Sequence, residues 1–160
     1  TTGSLVSSLS SNGCTHFATG SAAPCTSLFK PIWIDTPVEP EAPLSGEAFD
    51  PEALFWDHEM LHRSMLPDYA RSIRLVAPQR DALENDLMQQ ALSVSPDDHT
   101  RRQTIANQAF KAGRELDHDC LQTLDGTPAT SRPGWLYARS WRRWSRSAGM
   151  LERIDPVDHK

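Results

Sequence analysis

Five consecutive residues, His58-Glu59-Met60-Leu61-His62, have the types and spacing for metal chemistry. On a helix, histidines at i and i+4 share a face and can hold one zinc ion, with Glu59 as general base toward a bound water and Glu84 as a third ligand. Two features of the stretch weigh against zinc. Asp57 and Arg63 flank it with charges, and His58 and His62 fall in an apolar stripe of Leu54, Phe55, Leu61, Met65 and Leu66. Packed histidines, each hydrogen-bonded through one ring nitrogen, are the simpler account there. No metal or other cofactor is therefore expected, and His58, His62 and Glu84 stand as the rejected zinc set.

The other clusters have equally plain readings. Cys14 and His16, two apart on one extended segment, share a face, but Cys14 is expected to be an ordinary buried thiol. Glu115, Asp117, His118 and Asp119, like Asp97, Asp98 and His99, are expected on solvated helix faces or caps. Arg132, Arg139, Arg142, Arg143 and Arg146 accompany Trp135, Trp141 and Trp144, a combination able to stack bases and contact phosphates. Trp135, Ala138, Trp141, Trp144 and Ala148 nevertheless keep helical spacing. The expectation is tryptophans packed on the domain, with arginines along the rim or paired with the acids of residues 35–68.

The elements that must position these groups divide in two. Residues 1–29 hold no Asp, Glu, Lys or Arg, and their apolar residues alternate with small hydroxyl residues, which reads as strands near the centre of a sheet. Strands are expected over 2–9 and 14–19, joined by a tight turn at Asn12-Gly13, with extended chain over 26–34 placed near an edge by Pro31. Residues 35–49, rich in proline and acid, read as an exposed linker. Asp50-Pro51-Glu52 signals a helix start, and a helix is expected over 51–66. Pro67 and Pro78 should interrupt or kink its continuation, a further helix capped by Asp97 or Asp98 should carry Ile105, Ala109, Gly113, Leu116, Cys120 and Leu124, and a last one should run over 135–148.

The chain has 160 residues, 38% of them hydrophobic, and a net charge of −5, which suits one soluble domain. The charge is uneven: nine acids and one arginine lie in residues 35–68, five arginines and no acid in residues 126–150. Overall acidity argues against non-specific nucleic-acid binding, and no apolar run is long enough to span a bilayer, so neither a nucleic acid nor a membrane is expected as partner. Three cysteines, Cys14, Cys25 and Cys120, argue against a disulfide framework and for a reducing, cytoplasmic setting.

Thr1-Thr2-Gly3-Ser4 with Val6-Ser7, His16-Phe17 with Thr19-Gly20, Ser27-Leu28-Phe29-Lys30-Pro31, and Leu54-Phe55-Trp56 with His58-Glu59 and Leu61-His62-Arg63 follow one another in an order that resembles the secernins and related bacterial cysteine dipeptidases. These are N-terminal-nucleophile hydrolases, and the resemblance implies an α+β fold, a four-layer αββα sandwich. It covers about the first 65 residues. It implies a cysteine nucleophile at a mature N-terminus upstream of this segment, with the free α-amino group as base and an acyl-thiol intermediate.

On that basis residues 1–34 are expected to be inner-sheet strands, 35–49 a linker, 50–150 a helical region and 151–160 a tail, all of one partial domain. The chain is then the C-terminal portion of a dipeptidase, inactive by itself. Its partners are the remainder of its polypeptide and a small peptide or amide substrate, and a homo-oligomer stays open. Thr1, Thr2 and Ser4 are the expected substrate-binding hydroxyls. Thr1 as an authentic nucleophile is the lesser alternative, since a nucleophile also needs an oxyanion hole and a complete pocket. Two other functions stay in view: a non-enzymatic helical interaction module and the zinc peptidase.

Overall fold

The computed structural model describes residues 3–10, 13–39, 42–127, 129–130 and 133–150. Alternation of hydroxyl and apolar residues gives strand β1 (Ser4–Ser10), which pairs antiparallel with β2 (Gly13–Thr19). Gly13 has φ +126°, a conformation that side-chain-bearing residues rarely adopt. The expected turn itself falls partly on residues 11 and 12, outside the described residues. A short strand β3 (Lys30–Ile32) pairs antiparallel with the other edge of β2, giving the order β1-β2-β3. Pro31 sits on an edge strand, as its missing N–H requires. The fold class is α+β; one three-stranded sheet is present among the described residues.

The expected burial of the opening stretch holds for Phe17, Thr19, Thr26, Leu28 and Trp33 but not for β1. β1 is an edge strand, and Leu5 and Leu9 are 61% and 73% exposed. Only the inner face of β2 is covered: Phe17 packs with Trp33, Ala91, Ile105 and Ala106. Freedom from charge permits burial, but a second layer must exist to supply it, and the helices reach β2 and β3 and stop short of β1.

Helix α1 (Leu54–Met65) begins three residues later than Pro51. The Asp50 side chain accepts from Glu52 N at 2.9 Å and its carbonyl from Ala53 N at 3.1 Å, so this signal closes a turn ahead of the helix. A single 3₁₀ turn (Leu66–Asp68), containing Pro67, leads into α2 (Tyr69–Ser93). α2 runs through Pro78 without ending, flanked by buried Val76 and Leu87, whose packing outweighs one lost backbone bond. α3 (His99–Asp125) starts where expected, with Asp98 Oδ1 accepting from Arg101 N at 2.9 Å. α1, α2 and α3 enclose Leu61, Met65, Val76 and Cys120.

α4 (Trp135–Ser147) is tied to α1 through Arg63 and Trp141, while Ala148 and Met150 join Ala53, Trp56 and Met60. The first part of the expected linker is docked: Asp35 pairs with Arg102 at 3.1 Å, and Glu39 N donates to Asn107 Oδ1 at 3.2 Å. No helix among the described residues is long and apolar enough to cross a membrane.

Candidate functional site

Where the loop after β2 meets α1 and α3, a cavity of about 130 Å³ is lined by Ser21, Ser27, Lys30, His58, Arg114 and Asp117, among others. The loop is held by its own hydroxyls. Thr26 N and Thr26 Oγ1 both donate to the Ala23 carbonyl, at 2.9 and 2.8 Å, with Ala23 itself at φ +49°. Thr19, Ser21 and Ser27 form a buried triangle with hydroxyl separations of 2.6–2.8 Å. Three hydroxyls can each donate once around such a ring, so their burial is compensated.

α1 and α3 supply the charged wall. His58 Nδ1 lies 3.0 Å from Asp117 Oδ1, and its Nε2 lies 3.0 Å from Thr26 Oγ1. The order carboxylate, imidazole, hydroxyl matches that of a nucleophilic triad. Thr26, however, is 2% exposed and its hydroxyl is given to Ala23, so the relay pins the loop to both helices and presents no nucleophile. Beside it, Arg114 Nε pairs with Asp57 Oδ2 at 2.9 Å, and His118 Nε2 lies 3.2 Å from Asp57 Oδ1. Burial raises the Asp57 pKa above its ordinary value, and these two partners only partly offset it.

Lys30 reaches the cavity from β3. Its Nζ donates to the Leu28 carbonyl at 3.4 Å and stands 5.6 Å from the Phe110 ring centroid. Loss of hydration lowers its pKa, against the opposing pull of Asp117 and Glu84. Gly113 makes the approach possible: a Cβ there would meet Lys30 Cε at 2.8 Å and Leu28 Cδ2 at 3.2 Å.

No protein-family model, no curated protein and no solved structure matches this chain. The functional reading therefore stands on the short motifs and on this geometry.

The structure sends the H-E-x-x-H residues in different directions. His58 faces the cavity relay. His62 packs edge-on against Trp141 with ring centroids 5.5 Å apart, its Nδ1 3.4 Å from Glu59 Oε2. Glu59 accepts from Arg63 at 2.7 and 2.8 Å. Burial raises the Glu59 pKa, but the His62 and Arg63 hydrogen bonds and charges prevail and bring it below its ordinary value. Glu84 Oε2 accepts from Phe29 N at 2.9 Å and so fixes the entry to β3. Among the described residues, no three His, Cys, Asp or Glu side chains form a group able to hold a metal ion.

Of the expected substrate-binding residues, Thr1 and Thr2 lie outside the described residues. Ser4 pairs with Thr19, which places it across the sheet from the hydroxyl triangle. Cys14 is exposed, contrary to expectation, because the β2 face it shares with His16 has no covering layer among the described residues; His16 hydrogen-bonds Ser7 at 2.8 Å instead. Glu115 and Asp119 are on the solvated side of α3 as expected, but Asp117 turns inward to His58. On α4, Trp141 packs while Trp135 is 68% exposed and Trp144 also lies open. Among the described residues Arg139, Arg143 and Arg146 make no ion pair with the acids of 35–68.

Spacing does not single out Lys30 or Thr26, and it places Asp117 on a solvated face. Lys30 carried one legible signal: it is the first charge after 29 uncharged residues.

Proposed function

We propose that this chain is the C-terminal part of a secernin-like cysteine dipeptidase, supplying one sheet, its helical cover and a polar cavity wall to an αββα hydrolase. The observation that carries this reading is the uncovered outer strand of the hairpin. β1 has one hydrogen-bonding edge unpaired among the described residues, and Leu5, Val6 and Leu9 are open to water. A strand with those properties invites a neighbouring strand or layer, and each large apolar side chain fully covered adds roughly 1.5–3 kcal/mol. Residues of the same hairpin, Ser4, Val6, Ser7, His16 and Phe17, also carry the resemblance.

In this reading the thiolate of an upstream cysteine attacks the peptide carbonyl, the carbon–nitrogen bond breaks, and the amine leaves with the proton the thiol gave up. Water then hydrolyses the thioester and restores the thiol. The cavity beside Ser21 and Ser27 forms part of the substrate enclosure.

Dipeptide hydrolysis by the polypeptide that includes the upstream segment, measured with and without replacement of its N-terminal cysteine by alanine, tests this. The expected result is turnover abolished by the replacement and none from the 160-residue chain alone. Turnover by the 160-residue chain that survives a chelator would overturn it, as would a longer polypeptide whose turnover ignores the cysteine.

A further inference from the structure

The cavity holds a cation whose donors are largely unused. An ammonium has three hydrogens to donate, yet Lys30 Nζ makes one protein hydrogen bond, at 3.4 Å, and no ion pair among the described residues. Arg114, the other cation at the wall, is engaged by Asp57 and by the Pro51 carbonyl at 3.0 Å. Asp117 Oδ1 accepts from His58, and Oδ2 has no protein hydrogen bond among the described residues. Ser21 and Ser27 line the same wall, with their hydroxyl hydrogens committed to the ring with Thr19. A volume of about 130 Å³ leaves room for a small organic molecule.

We infer that this cavity binds a small zwitterionic α-amino acid, its carboxylate on Lys30 and its ammonium on Asp117 Oδ2. A carboxylate satisfies the desolvated lysine with charge-assisted hydrogen bonds, and the opposite charge a short distance away matches Asp117. A simple anion would leave Asp117 unanswered and a simple amine would leave Lys30 so. The role as a site for an amino acid released from a dipeptide rests on the hydrolase reading; the binding itself does not. Lys30 is on this account a specificity-determining residue.

The test uses the 160-residue chain with 13C-labelled lysine, which has three reporters, Lys30, Lys111 and Lys160. Glycine and L-alanine are titrated against it, with glycinamide and acetate as controls. Saturable shifts of the Lys30 signal by the two amino acids, with affinity at least tenfold weaker for each control, are expected. The Lys30→Met variant should lose calorimetric binding of L-alanine, and Asp117→Asn should bring L-alanine toward acetate. An unmoved Lys30 signal, or equal binding of glycinamide, would overturn the inference. If Lys30→Met fails to fold, the titration of the unaltered protein decides alone. Missing cysteine-dependent hydrolysis in the longer polypeptide would count against the hydrolase reading and leave this binding result intact.

Discussion

The β1–β2 hairpin and the α1–α3 interface reverse the usual association of charge with surface. The hairpin carries no charged side chain, yet its outer strand leaves Leu5, Val6 and Leu9 in water. α1 buries Asp57, His58, Glu59 and His62. Each of these charged or titratable groups has a partner close by, on α1 itself or on α3, whereas the outer strand of the hairpin has no covering layer among the described residues. Burial follows from what an element is packed against, and composition states only what it would tolerate.

The sharpest break of this contrast is at Glu59 and Arg63, a pair with both side chains nearly buried. Arg63→Ala leaves Glu59 without its main partner and is expected to cost about 3–5 kcal/mol in urea unfolding. A loss under 1 kcal/mol would mean that the charges on α1 are solvated.

Gly113→Ala comes next, at about 1–3 kcal/mol, since the new methyl must displace the Lys30 and Leu28 side chains. The same variant should weaken L-alanine binding, and an unchanged affinity would place Lys30 elsewhere.

Acid titration separates the two buried carboxylates of α1. The folded pKa of Glu59 lies below its ordinary value of 4.5, so its stabilisation is present above that value and lost as pH falls through the lowered one. The folded pKa of Asp57 lies above its ordinary value of 3.8, so between the two values the folded state binds more protons and stability falls as pH rises. Glu59→Gln should therefore reduce the loss of stability between pH 7 and pH 3, and Asp57→Asn should enlarge it. Identical pH profiles for both variants would contradict the assignment.

The smallest stability effect is expected in the hairpin. Leu5→Ser with Leu9→Ser should change unfolding by no more than about 0.5 kcal/mol per site, while lowering self-association seen by light scattering. A cost of several kcal/mol would show these leucines to be covered already. Thiol reactivity tracks the same difference: Cys14 and Cys25 are exposed and should be alkylated quickly. Cys120, buried between helices with its thiol pushed up to about 11, should react only on unfolding.

Much of the fold was legible where local signals and tertiary context agree. Asp98 caps α3, Pro31 sits on an edge strand, and the apolar spacing of α1 and α3 faces the core. Asp50 misled because a turn answers to the same residues as a cap, while Pro78 lies inside a helix that continues past it. The site was less legible. His58 was visible as a metal motif, but its partners Thr26 and Asp117 lie 32 and 59 residues away, and only the packing of loop, α1 and α3 brings them together. Lys30 points into a cavity because Gly113 stands opposite, a relation no local pattern encodes.

Hydrogen–deuterium exchange of β1, compared between the 160-residue chain and a longer polypeptide carrying the upstream segment that the proposed function requires, tests the central claim most directly. If the hairpin is a sheet face awaiting the rest of a hydrolase, β1 amides gain at least a hundredfold protection in the longer polypeptide, about 2.7 kcal/mol, while α1 amides are unchanged. Equal exchange of β1 in both would contradict the account.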